Sequence, residues 1–249
     1  MDSKSNFKDH FSSHAEIYAR YRPDYPRALF EFLGGLNENR QMVWDCATGS
    51  GQAAVVLAEY FERVIATDAS AGQIENAIPN PKVEYRVAPA EESGLKDGSV
   101  QLVTVAQALH WFDHQAFFKE VKRVTTPNGY FAAWSYGLTY IEPAIDEIVN
   151  HFYNDIVGPY WPEERHFIEE KYETIPFPFE KLDTPDFTME KEWTADDLLS
   201  YLSTWSATQK YIAAESRNPI EEIANPIKQI YNGVKIVKWP LYLLLAKVN

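Results

Sequence analysis

The chain has 249 residues, with 36 acidic against 23 basic side chains and a formal net charge of -13. Such a surface disfavours a polyanionic substrate, so no nucleic-acid partner is expected, and no apolar run approaches the ~20 residues of a membrane-spanning helix, so no membrane role is expected either. A 45% hydrophobic content is that of a globular protein, and the single Cys46 leaves neither an internal disulfide nor a cysteine-built zinc centre, so no metal is expected.

Residues 1 to 10 are polar and lack the apolar core of a secretory leader, which makes the expected location cytoplasmic. Residues 5 to 33 carry two short helical patterns separated by an elbow rich in aromatics and proline. Phe7, Phe11, Tyr18, Tyr21 and Tyr25 either pack these helices onto the body of the protein or present aromatic faces to a ligand. Arg22 suits a carboxylate, or a surface position stacked on a tyrosine.

The stretch MVWDCATGSGQAAVVLAEYFERVIATD, residues 42 to 68, organises the rest. An apolar run at 42–44 ends at Asp45, a turn with Gly49 and Gly51 follows, and a helical pattern covers 52–60. A second apolar run at 63–67 ends on Asp68. This is one right-handed βαβ unit, which places both strand ends and the helix N-terminus on the ligand-binding edge of a parallel sheet.

Two nucleotide ligands fit that turn. As G-x-G-x-x-A (Gly49, Gly51, Ala54) it matches the dinucleotide fingerprint, with Asp68 near the position of the ribose acid. As acid-x-small-x-Gly-x-Gly (Asp45, Ala47, Gly49, Gly51) it resembles motif I of the class I S-adenosylmethionine-dependent methyltransferases, with Ala47 where that family usually has a glycine. Asp45 favours the second reading, because a carboxylate repels a pyrophosphate but attracts a sulfonium and an ammonium. Its plainer role is an N-cap or a solvated loop acid. Cys46, at a buried strand end, reads as a small apolar residue and not a nucleophile.

Downstream, Ser70 caps a helix at 71–76, and residues 83–88 form a third strand. Ala90-Glu91, Leu95, Asp97-Gly98-Ser99, a fourth strand at 100–106 and then Ala108-Leu109-His110-Trp111-Phe112-Asp113 follow. This run resembles the type 11, trans-aconitate methyltransferase-like subgroup of that family. So does the N-terminal pattern F-x-x-x-A-x-x-Y-x-x-x-R-P-x-Y-P ending at Pro26. His110 is a general base, a hydrogen-bond donor to an acceptor carboxylate, or a packed loop residue.

An amphipathic helix at 115–124, a turn at Pro127-Asn128-Gly129 and a fifth strand at 130–134 complete this half. From 136 to 216 the sheet pattern lapses into an aromatic insertion of the kind that forms a lid. Within it, 187–193 returns as a strand, and Thr194 with Asp197 forms a capping box for a helix reaching about Thr204. Another helix follows Pro219, and residues 235–248 supply the last strand.

The resemblance implies an α/β fold: a Rossmann-like seven-stranded sheet with its last strand antiparallel, helices on both faces, an N-terminal lid and a helical cap. The expected division is one methyltransferase domain, 1–249, with lid helices at 1–39, the donor-binding core at 40–136, the cap at 137–216 and the last helix and strand at 217–249. It also implies S-adenosyl-L-methionine as cofactor, with S-adenosyl-L-homocysteine as product. Asp45, Ala47, Thr48, Gly49, Gly51, Asp68, Ala69, Ala90, Glu91 and Gln107 would form the donor site. Tyr18, Arg22, Tyr25, His110 and Trp111 would meet a small-molecule acceptor, a carboxylate among the candidates, with His110 the catalytic candidate. Pro89 stands where many relatives place an aspartate against the adenine. A monomer or homodimer is expected. Two alternatives stay open: a non-catalytic S-adenosylmethionine-binding protein, and a nicotinamide-dependent oxidoreductase, which lacks support from any clear Tyr-x-x-x-Lys pair.

Overall fold

A computed structural model describes residues 23 to 248. Tyr18, Arg22 and the first of the two N-terminal helical patterns lie outside the described residues. The second pattern is helix α1, Arg27–Gly35, which begins directly after Pro26 and buries Leu29, Phe30 and Leu33.

The βαβ unit forms where its pattern puts it. Strand β1 is Met42–Cys46, helix α2 is Gln52–Tyr60 and strand β2 is Arg63–Asp68. Helix α3, Ala71–Glu75, starts from Ser70, whose hydroxyl accepts from the Gln73 amide. Strand β3 is Val83–Val87 and strand β4 is Val100–Ala106. A 3₁₀ turn, Leu109–Trp111, precedes helix α4, His114–Val124, which is capped by Asp113. Strand β5 is Thr125–Tyr136.

The insertion contains helix α5, Pro143–His151, which runs on through a π turn, Phe152–Ile156. A 3₁₀ turn, Glu163–Arg165, leads into the short helix α6, His166–Glu169. Strand β6, Phe187–Trp193, is followed by helices α7, Ala195–Ser203, and α8, Ser206–Glu215. Helix α9, Ile220–Ile230, tolerates the interior Pro226 because Ile220, Ile223 and Ile227 form a buried stripe that outweighs the lost backbone bond. Strand β7, Lys235–Lys247, closes the sheet.

The seven strands lie in the order β3-β2-β1-β4-β5-β7-β6. The first five are mutually parallel, and β7 runs antiparallel to both β5 and β6. The fold is Rossmann-like, as expected. Because β1, β2 and β3 grow one way and β4 begins on the other side of β1, the connections after β1 and β4 diverge and leave a crevice at their carboxyl ends.

Alternation along the strands divides the core. Val43, Val64, Leu102, Ala132 and Trp134 face one layer with α1, α2 and the cap helices. Trp44, Cys46, Ile65, Val103, Val105, Phe131 and Ala133 face another, with α4 and Ile168, Tyr172 and Ile175. Strands covered on both faces are apolar throughout, which is why β1 and β4 read as continuous runs.

Two local expectations are refined. The fifth strand is longer than 130–134, and the Pro127–Gly129 turn lies inside it. Val100 pairs with Thr125 but Leu102 with Tyr130, so the turn is extruded as an irregularity, with Asn128 at φ 66°. On α4, Glu120 is buried and not on the solvated face, accepting from the Ser93 amide and hydroxyl and from Arg123. Among the described residues, no helix is long and apolar enough to cross a membrane.

Candidate active site

The turn after β1 is held by the two acids at the strand ends. Ala47, Gly49 and Gly51 all take left-handed backbone conformations, at φ 53°, 58° and 84°. At Gly51 a Cβ would lie 2.2 Å from the Tyr85 hydroxyl, so only glycine fits beneath that ring. Asp68 fastens the turn from β2: one carboxylate oxygen accepts from the Gly49 amide (2.9 Å), the other from the Ser70 amide (2.8 Å). The Thr48 amide donates to the Thr67 carbonyl (2.9 Å), continuing the sheet into the turn.

Asp45 is fully buried. Its Oδ1 accepts from the Thr104 hydroxyl (2.8 Å) on β4, and its Oδ2 from the Thr48 hydroxyl (2.5 Å). Burial pushes its carboxyl up to about 6, and the nearby Asp68 charge adds to the rise, while the two hydroxyls oppose it. Asp45 therefore braces the turn through Thr48 and contributes its charge from beneath. Cys46 is buried beside it, and burial pushes its thiol well up, in keeping with an inert apolar role.

The end of β4 forms the opposite wall. Gln107, at φ 55°, clasps the backbone of Tyr136: its amide nitrogen donates to the Tyr136 carbonyl (3.0 Å) and its oxygen accepts from the Tyr136 amide (2.9 Å). This locks the ends of β4 and β5 together. His110 is buried, its ring 4.7 Å from that of Trp111, and its Nδ1 lies 3.1 Å from the Tyr172 hydroxyl. Burial holds the Tyr172 phenol well above its ordinary value, so it stays protonated.

Glu91 accepts from the Asp113 amide (3.1 Å), tying the segment after β3 to the start of α4, and the neighbouring Ala90 is buried while Ala69 is exposed. Tyr25 packs edge-on against Trp134 at 5.5 Å, in the core beneath α1.

The structure thus brings Asp45, Thr48, Gly49, Gly51 and Asp68 together on one side of the crevice. Gln107, His110 and Trp111 stand on the other. Sequence reading missed Thr104 and Tyr172. Thr104 is a mid-strand threonine without a motif, and Tyr172 sits in an insertion whose aromatics carry no periodic signal.

Left-handed glycines at a parallel strand end, fastened by an acid at the end of the next strand, are an arrangement suited to a nucleotide-type ligand in a Rossmann-like sheet. The acids select among nucleotides. Among the described residues no cation lies within ion-pair reach of the buried Asp45, so the donor set suits a cationic ligand such as a sulfonium and disfavours a pyrophosphate. Comparison agrees. Residues 44–133 match a family model described as a methyltransferase domain. A Dictyostelium discoideum protein whose name assigns it to the methyltransferases is 37% identical, over 99% of this chain and 98% of its own. A Saccharomyces cerevisiae protein named for S-adenosylmethionine-dependent methyl transfer is 29% identical over 57% of this chain and 54% of its own. The solved structure of an Anaeromyxobacter dehalogenans protein, named as a type II methyltransferase, superposes with a TM-score of 0.86 at 41% identity, covering 91% of this chain and 98% of that one. The chain belongs to the class I S-adenosylmethionine-dependent methyltransferases, and the nicotinamide alternative falls.

Proposed function

We propose that the protein methylates a small-molecule acceptor bearing a carboxylate, with lid 1–39 and cap 137–216 closing over a donor held by the 40–136 core and the last helix and strand, 217–249, completing one domain. The observation that supports this most is the crevice itself, with an acid-fastened glycine turn on one side and a buried histidine between aromatic rings on the other.

The donor, when bound, supplies a methyl group on a sulfonium that departs as neutral S-adenosylhomocysteine. Asp68, still able to accept beyond its two backbone bonds, takes the ribose hydroxyls. The Gly49–Gly51 turn, with Ala47 and Thr48 and the charge of Asp45 beneath, receives the methionine end. Ala69, Ala90, Glu91 and Gln107 border the adenine and the floor of the crevice.

A carboxylate acceptor is a nucleophile at neutral pH and needs no base. His110 then serves as a hydrogen-bond donor that orients the acceptor oxygen, and Trp111 supplies an apolar wall that excludes water. Rate arises from holding oxygen, methyl and sulfur in line. The resemblance assigns Tyr18 and Arg22 to the lid side of the same pocket, whereas Tyr25 is packed in the core against Phe30 and Trp134.

Calorimetric titration with S-adenosylhomocysteine, followed by methyl transfer to paired carboxylic acids, alcohols and amines, tests this reading. Methyl esters are the expected products. Turnover of alcohols or amines but not acids would overturn it.

A further inference from the structure

We propose that Arg165 is the acceptor's anion anchor, its guanidinium presented from the cap beside the Leu109–Trp111 turn to bind a carboxylate of the substrate. The proposal rests on the carboxylate reading above and deepens it by naming a specificity residue that no motif marks.

Arg165 is set apart from most arginines in this acidic chain. Arg27, Arg63, Arg86, Arg123 and Arg217 each hold a carboxylate. Arg40 is an exposed loop residue. Arg165 is only partly exposed, yet it makes no ion pair with any acid among the described residues. Its guanidinium lies 4.6 Å from the Trp161 ring centre and 5.4 Å from that of Tyr153, and its Nε donates to the Tyr153 hydroxyl (2.8 Å). That hydroxyl in turn donates to Glu169, so this acid is engaged by the phenol and not by the arginine.

The Glu163–Arg165 turn packs against the Leu109–Trp111 turn that carries His110. Burial raises the phenols of Tyr153, Tyr172 and Tyr201, and in each the Arg165 charge opposes the rise, so its field reaches the phenol bonded to His110. A hollow of about 310 Å³ adjoins it, lined by Tyr153, Trp161, Arg165 and His166 together with the acids Glu163 and Glu169. That is the lower end of the range that takes small organic ligands, roughly 300–1,000 Å³. A guanidinium held rigid by two rings, partly desolvated and lacking a counter-ion, is prepared for bidentate recognition of a planar oxyanion.

The test compares wild type with Arg165→Met, which keeps an apolar stem against the rings, and Arg165→Lys, which keeps charge without the fork. With S-adenosylhomocysteine at saturation, succinate and glutarate are titrated calorimetrically against butyrate and valerate. Methyl transfer to the same acids is followed alongside. In wild type the dicarboxylates, which offer one carboxylate to the anchor and one to the methyl, bind about 10- to 100-fold more tightly than the monocarboxylates. Arg165→Met abolishes that preference through KM with little change in kcat, Arg165→Lys restores it in part, and S-adenosylhomocysteine affinity is unchanged in both. Equal affinity for mono- and dicarboxylates in wild type, an undiminished preference in Arg165→Met, or loss of S-adenosylhomocysteine binding would each overturn the role. If dicarboxylates bind by way of Arg165 while only hydroxyl or amino groups of a panel are methylated, the anchor stands and the carboxylate-methylation reading fails.

Discussion

Asp45 offers the sharpest test of how the turn is built. Its carboxyl rises from an ordinary 3.8 to about 6 on folding, chiefly through burial. Between those values the native state holds more protons than the unfolded chain, so stability falls as pH rises through this window. Below about pH 3 both states are protonated and no penalty exists; above about pH 7 it is complete, at ~2 pH units or ~3 kcal/mol. Asp45→Asn keeps the shape, retains an acceptor for one hydroxyl and turns a donor to the other, which can rotate to accept. Chemical denaturation of both proteins from about pH 4 to pH 8 is the assay, and the other titrating acids cancel in the difference. The variant is expected to gain ~2 kcal/mol relative to wild type across that range, with most of the change centred between pH 4 and 6. A difference independent of pH would refute the view that Asp45 carries a buried, uncompensated charge. A cationic donor above the turn would stabilise the carboxylate, so binding near pH 6 should release protons, visible as a buffer-dependent calorimetric heat.

Asp68→Ala should weaken S-adenosylhomocysteine binding by ~2 kcal/mol or more, about 30-fold, because charge-assisted bonds to the ribose are lost; unchanged affinity in a folded variant would exclude the role. Ala47→Gly should raise stability by up to ~1 kcal/mol, since a left-handed alanine costs ~1–2 kcal/mol and the added chain entropy of glycine takes back part of that gain; an urea melt reads the shift. Thr194→Ala breaks the capping box that Thr194 and Asp197 make at the start of α7. It should cost ~1 kcal/mol in the same melt without altering donor affinity.

The βαβ unit that carries the glycine turn was legible in residues 42 to 68 because each of its parts is a local pattern. A buried parallel strand is a short apolar run, α2 is an amphipathic period, and the acids sit where the strands end. The same holds for β6 and for the capping box of α7, whose bounds follow from alternation and from one threonine three residues before an aspartate. What periodicity cannot carry is which distant element completes a site. Asp45 meets Thr104 across 59 residues, and His110 meets Tyr172 across 62. The extrusion of Pro127–Gly129 inside β5 likewise depends on how β4 registers against it. The residues themselves determined the βαβ unit, the glycine turn and the acids at its strand ends, since those depend on neighbours along the chain, whereas the order of the seven strands was carried by the family resemblance. Only the packed cap set Tyr172 on His110 and laid Arg165 over Trp161 with its Nε on the Tyr153 hydroxyl, because those contacts exist only once the insertion has folded back over the sheet.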